Sequence, residues 1–204
     1  MPNAWVNERK REYYYRKAKE ENFRSRASYK LLQAVKKYKF IKPGYVVVDL
    51  GAAPGGWTQA ARKLVDDTGF VLAVDLKQIK PFDESNVRTI IGDISEPQTV
   101  KEIVEFLPRS VDAVISDVAP NVSGIWELDN ARQIDLAQKS LKVATSVLRY
   151  GGNFFVKVFQ GNETNRFIND VRQQFRFVKL VKPRASRTKS AELYVLGMNY
   201  KKRT

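Results

Sequence analysis

The sequence contains no cysteine and no histidine. Without cysteine there are no disulfides and no thiolate nucleophile, so pyrimidine C5 methylation through a cysteine adduct is excluded. Without either residue there is no Cys/His zinc site. A serine–histidine triad and a histidine general base are ruled out as well. Acid–base chemistry falls to Asp, Glu, Lys, Tyr or Arg. Long hydrophobic runs are also missing, and nothing reaches the roughly 18 uninterrupted apolar residues of a membrane-spanning helix. The N-terminus, MPNAWVNERKREYYYRK, has no signal-peptide apolar core. It holds too much tyrosine and acid for a transit sequence, so a cytoplasmic protein is expected.

What is present is an ordinary globular composition with an unusual charge layout. The 204 residues are 43% hydrophobic and 28% charged, enough for one domain with a real core. The formal net charge is +14. Residues 1–42 carry 13 Lys/Arg against 4 Asp/Glu, residues 172–204 carry 10 against 1, and the middle is slightly acidic. A solvated surface would account for charge alone. Two basic ends rich in arginine and interleaved with aromatics instead suggest a polyanion partner, and RNA is expected. Tyr13, Tyr14, Tyr15 and Phe23 could stack on bases or pack an extension onto the core; the sequence leaves both open. The expected division is a basic N-terminal extension contacting RNA, 1–25, and a single domain, 26–204.

Hydrophobic patterning alternates. Strands are expected near 45–50, 70–75, 87–91, 111–116, 152–158, 176–181 and 191–197. Helices are expected near 7–20, 26–39, 56–66, 96–107, 130–149 and 163–174. Strand–helix alternation implies an α/β fold with a mostly parallel, doubly wound sheet. Only KPRASRTKS separates the last two strands. That is too short for a parallel crossover, so an antiparallel edge pair is expected. Seven strands ending this way suggest the Rossmann-like fold of S-adenosylmethionine-dependent methyltransferases, with helices on both faces.

Ligands of such folds bind beyond the carboxyl ends of the strands. The first strand runs into Asp49–Trp57, DLGAAPGGW, where Gly51, Gly55 and Gly56 permit tight turning and close backbone approach. The spacing is not the GxGxxG of a dinucleotide site. Asp75 ends the second strand, where a carboxylate can accept hydrogen bonds from ribose hydroxyls. Asp93 follows the third, where one could meet an adenine amino group. Turn and capping roles are the plain alternative for each, but loop and both acids in this order point to a cofactor site. Asp117 ends the fourth strand in SDVAPN, which departs from the D/N-P-P-aromatic motif of amino-group DNA methyltransferases. Trp126 could stack a base or pack in the core. In NFFVKVFQG, Lys157 interrupts a strand that otherwise reads as fully buried, and an unpaired buried ammonium is costly.

DLGAAPGGW, SDVAPN, FFVKVFQG and the Arg26–Leu31 segment RASYKL resemble the FtsJ/RrmJ family of ribose 2′-O-methyltransferases over about residues 15–197. The resemblance implies a catalytic tetrad of Lys30, Asp117, Lys157 and Glu192. It implies S-adenosylmethionine contacts at Gly55, Trp57, Asp75, Asp93 and Asp117, and no metal. PRASRTKSAELY looks like the family's substrate-side loop.

The chemistry fits. A ribose 2′-hydroxyl is a poor nucleophile whose proton must leave as the methyl arrives, and a lysine can take it only as the neutral amine. Burial and a neighbouring ammonium favour the neutral amine of a lysine, and a carboxylate favours the charged form. Asp117 is therefore expected to aim rather than activate, and Glu192 to orient Lys30 or the ribose and to matter least. A structural ion pair for Lys157 and a solvated helix position for Lys30 are the plainer readings. By resemblance the substrate is a uridine in the peptidyl-transferase region of large-subunit rRNA, within an assembled or late-assembling subunit, and the enzyme a monomer. A tRNA ribose, a non-catalytic ribosome-assembly factor and a small-molecule methyltransferase are the alternatives.

Overall fold

A computed structural model of the chain describes residues 12–187 and 190–201. Helix α1 spans 12–20 among these. It is followed by α2 (Ser28–Tyr38), β1 (Val46–Leu50), α3 (Gly56–Val65), β2 (Phe70–Asp75), β3 (Val87–Ile91) and α4 (Pro97–Phe106). Then come β4 (Val111–Ser116), α5 (Trp126–Val147), β5 (Leu148–Phe159), α6 (Thr164–Gln174), β6 (Phe175–Val181) and β7 (Glu192–Tyr200).

The seven strands form one sheet in the order β3-β2-β1-β4-β5-β7-β6. β1 to β5 pair in parallel, and β7 runs antiparallel to both β5 and β6. This is the expected mostly parallel sheet, with the expected antiparallel pair at its edge. The order reverses between β1 and β4, which opens a crevice at their carboxyl ends.

Strand periodicity divides the core into two layers. Val46, Val48 and Leu50 of β1 face one cluster, joined by Leu72, Val74, Phe154, Val156 and Val158 and covered by α4, α5 and α6. Val47, Val71 and Phe155 face the other, under α1, α2 and α3. Every residue of β1 and β4 is buried, as central strands covered on both faces should be. Ala18 and Phe23 are buried in the second cluster, with Tyr14 packed against it.

Three boundaries differ from the sequence reading. α5 begins at Trp126 rather than near 130, because the Asp129 carboxylate in its first turn reaches back to accept from the Ser123 and Gly124 amides at 2.7 and 3.1 Å. β5 begins at Leu148, which pairs with Val111 ahead of an irregularity that skips to Asn153↔Ala113. β7 runs on through Gly197 to Tyr200. Gly197 is not a terminator: a Cβ there would meet the Phe175 ring at 2.7 Å, so the strand needs glycine for packing. Of the helix expected at 7–20, residues 7–11 lie outside the described residues. No helix among the described residues is long and apolar enough to cross a membrane.

Candidate active site

Alternation along β5 explains its lysine. Phe154, Val156 and Val158 point into the α5 layer, so Lys157 points with Phe155 toward α2 and α3. It is 6% exposed, and Lys30, arriving from α2 on that same side, is 8% exposed. Neither ammonium is unpaired. Lys157 Nζ donates to the Asp117 backbone carbonyl at 2.6 Å and lies 3.2 Å from its Oδ1. Lys30 Nζ donates to Glu192 Oε2 at 2.8 Å.

Tyr194 links the two ion pairs. Its hydroxyl stands 2.8 Å from Asp117 Oδ1 and 3.2 Å from Glu192 Oε1, sharing one proton between them. Ser186 donates to the same Glu192 oxygen at 2.8 Å. Lys157 and Tyr194 are direct cross-strand partners in the β5–β7 register. The result is a continuous chain, Lys157–Asp117–Tyr194–Glu192–Lys30, drawn from four elements. Two ammoniums balance two carboxylates, which makes the burial tolerable. A buried ion pair is nonetheless a weak stabiliser compared with apolar packing, so structure alone is a poor reason to keep two of them.

The rings beneath this chain are locked. Trp57 is 3% exposed, stacks on Phe155 at 5.6 Å and 12°, and donates from Nε1 to the Ala27 carbonyl at 2.8 Å. Phe155 in turn stacks on Tyr194 at 4.9 Å. Aromatic pairs of this kind add about 0.5–1.5 kcal/mol each beyond burial. Gln133 of α5 donates to the Val118 and Lys157 carbonyls at 3.1 and 3.0 Å, tying Lys157's backbone to the β4 loop.

Burial alone would push the Asp117 carboxyl up. The ammoniums of Lys157 and Lys30 and the Tyr194 hydroxyl outweigh it and hold Asp117 below the usual carboxylate range. Burial first, then Asp117 and Glu192, push the Tyr194 phenol well above its ordinary value. It is therefore a fixed donor. Asp49, fully buried on β1, is pushed up to about 7 by desolvation, with Asp117 and Asp75 adding to it. Thr58 donates to its Oδ2 at 2.7 Å, and Oδ1 has no hydrogen-bond partner.

A cavity of about 500 Å³ opens beside the ionic chain at the strands' carboxyl ends, lined by Gly51, Asp75, Asp93 and Asp117 among others. Gly51 has φ +72°, and a Cβ there would come within 2.7 Å of Val118, so backbone forms this wall. Asp75 accepts from the Ala53 and Lys77 amides at 2.9 and 2.8 Å, which fixes its carboxylate at the rim. Asp93 is held below the usual range by the Ser95 amide and hydroxyl. Ile91, 60% exposed, and Leu76, 68% exposed, stand apolar and uncovered at this end of the sheet. Carboxylates, a backbone wall and bare apolar side chains suit a nucleoside.

The expected residues thus fall into two groups. Lys30, Asp117, Lys157 and Glu192 come together, and Gly51, Asp75, Asp93 and Asp117 share the cavity wall. Gly55, Gly56 and Trp57 do not line it. They start α3 against the 24–28 segment, where added Cβ atoms would strike Arg24, Phe82 and Ser25. Tyr194, Ser186 and Gln133 are site residues the sequence reading passed over. Tyr194 had a signal, since it lies two residues after Glu192 on one strand and so shares its face. Trp126 is not in the core. It is 49% exposed and stacks on Phe159 at 6.0 Å.

A family model described as FtsJ-like methyltransferase matches residues 23–200. A relative called ribosomal RNA large subunit methyltransferase E, from Methanothermobacter thermautotrophicus, is 49% identical over 98% of this chain and 95% of its own length. One of the same name from Methanocaldococcus jannaschii is 48% identical over 96% of the chain and 81% of its own length. A crystal structure described as a ribosomal RNA methyltransferase from Plasmodium falciparum superposes with a TM-score of 0.77 at 26% identity, covering 87% of this chain and 98% of that one.

Proposed function

The chain belongs to the FtsJ-like methyltransferase family, and from that premise we propose that it methylates the ribose 2′-hydroxyl of a large-subunit rRNA nucleotide with Lys157 as base. The observation that carries this reading is the buried ionic chain from Lys157 to Lys30 beside a carboxylate-lined cavity. S-adenosylmethionine, when bound, supplies the methyl as an activated sulfonium. Asp75 would accept from its ribose hydroxyls and Asp93 from its adenine amino group, with the Gly51 backbone leaving room for it. Gly55, Gly56 and Trp57 act from behind, setting where α3 begins.

Lys157 would first give up its ammonium proton to solvent and then take the 2′-hydroxyl proton, as the ribose oxygen bonds to the methyl carbon and the carbon–sulfur bond breaks. Asp117 and the carbonyl beside it hold the amine in line. Tyr194 keeps its own proton and fixes Asp117. Lys30, oriented by Glu192, faces the negative charge that develops on the ribose oxygen. Most of the acceleration comes from alignment, since the methyl donor is already activated. A basic surface suits RNA, and the names of the relatives favour large-subunit rRNA over tRNA. The finer target is a uridine of the peptidyl-transferase region in an assembled subunit, met by a monomer whose residues 1–25 touch RNA.

The test is transfer from labelled S-adenosylmethionine to purified large subunits, free rRNA and bulk tRNA, with Lys157→Ala in parallel. Label on a 2′-oxygen of rRNA, reduced at least ~100-fold in the variant with cofactor affinity kept within about twofold, is expected. Label confined to tRNA moves the substrate. A variant with wild-type turnover removes Lys157 from the base role, and RNA binding without any label favours an assembly factor.

A further inference from the structure

The basic ends of the sequence are only partly used by the active site. Their described parts meet again at the opposite pole, where the parallel strands begin. A groove of about 440 Å³ lies there, between the end of α2, the start of β5 and the far ends of β6 and β7. Five aromatic residues line it, Tyr38, Phe40, Tyr45, Tyr150 and Phe177, with Lys39, Lys42 and Arg149; no carboxylate is among its described lining residues. Tyr150 and Phe177 are each 55% exposed. Exposed rings gathered into one contiguous patch mark an interaction site, where rings scattered singly would not.

Rings and cations alternate. The Arg176 guanidinium lies 5.6 Å from the Tyr150 centroid, that of Arg149 5.9 Å from Tyr45, and the Lys37 ammonium 5.2 Å from Tyr38. Lys179 follows Phe177 at a two-residue step on β6, so it projects on the same face. The groove is also built. Buried Asp112 accepts from Arg149 Nε at 2.5 Å and from the Val46 amide at 2.8 Å. Asn153 donates to the Phe40 carbonyl at 2.9 Å beneath it. Flat rings flanked by Lys39 and Lys42, with Arg149 held in place by Asp112, match unpaired nucleotides, whose bases stack and whose phosphates need positive charge.

We propose that this groove is a second RNA-binding site, which takes a short unpaired stretch of the substrate RNA. Bases lie against Tyr150 and Phe177, and phosphates meet Lys39 and Lys42. Asn153 at the groove and Lys157 at the active site are four residues apart on β5, roughly 13 Å of strand. A substrate filling both must present two RNA segments at once, which favours folded rRNA over a short oligonucleotide. The inference rests on RNA being the substrate, but not on which residues form the catalytic set.

Two double variants test it: Tyr150→Ala/Phe177→Ala, and Lys39→Asn/Lys42→Gln. Asparagine is chosen because Lys39 has a left-handed backbone, φ 57°. RNA binding to large-subunit rRNA is followed by filter retention across a salt series, without turnover, and kinetics and cofactor affinity alongside. The ring variant should lose at least ~10-fold in RNA affinity. The lysine variant should lower the slope of log K against log salt by about two. Both should raise KM with kcat and cofactor affinity unchanged. Wild-type affinity and slope in both variants overturn the proposal, as does normal RNA binding combined with loss of an acidic protein partner. A wild-type enzyme that binds rRNA through the groove yet methylates none leaves this site standing and overturns the function instead.

Discussion

At the scale of single residues, the site turns on how one phenol and two kinds of carboxylate are held. Tyr194→Phe keeps the stack on Phe155 but removes the donor shared by Asp117 and Glu192. We expect turnover to fall about 10–100-fold, in the range of the ~1.5–3 kcal/mol of one hydrogen bond to a charged group, with the melting temperature little changed. Steady-state kinetics and a thermal melt check both. Asp49 makes the opposite kind of prediction. Its carboxyl holds a proton up to about 7 in the fold but only to about 3.9 in the unfolded chain. Between those values the folded state binds more protons, so its stability falls as pH rises, by on the order of 4 kcal/mol in full. Asp49→Asn should therefore melt higher than wild type at pH 8, lose most of that advantage by pH 5 and the rest only below about 3.9. Parallel melts at the two pH values decide it, and equal advantages at both would show that Asp49 is not protonated in the fold.

At the scale of elements, the parts that carry motifs were legible and the joints were not. Strand positions around Asp49, Asp75, Asp117 and Lys157 follow from apolar runs that end in an acid or enclose a lysine. The sheet's antiparallel edge follows from the nine-residue KPRASRTKS connection. α5 starts at Trp126, ahead of the expected 130, where Asp129 sits inside the first turn and accepts from the preceding loop. The expected strands start at Gly152 and stop at Gly197, while β5 begins at Leu148 and Gly197 is a packing glycine under Phe175. No local pattern distinguishes those cases, since the deciding neighbour is distant in sequence. The β1–α3 turn gives an element-scale prediction. Gly51→Ala must force a Cβ into Val118 and hold φ at +72°. It should cost about 1–3 kcal/mol and weaken cofactor binding at least ~10-fold, read by denaturant unfolding and calorimetric titration.

At the scale of the whole molecule, charge and shape divide the labour. The +14 net charge predicts RNA binding that falls on the order of 10³-fold between 50 and 200 mM salt. Cofactor affinity, set inside the cavity, should hold within about twofold over the same range, and paired titrations test the contrast. The strand order has another consequence. β7 is the last strand in the chain, yet it lies between β5 and β6 and brings both Glu192 and Tyr194. While the protein is being synthesised, that slot stays open, with two unpaired strand edges flanking it and Lys30 lacking its counter-ion. A chain cut short therefore offers sticky edges and, under the proposed mechanism, an incomplete site. Under the proposed mechanism activity arrives with β7, so a nascent copy leaving the ribosome gains it only once its sheet is closed.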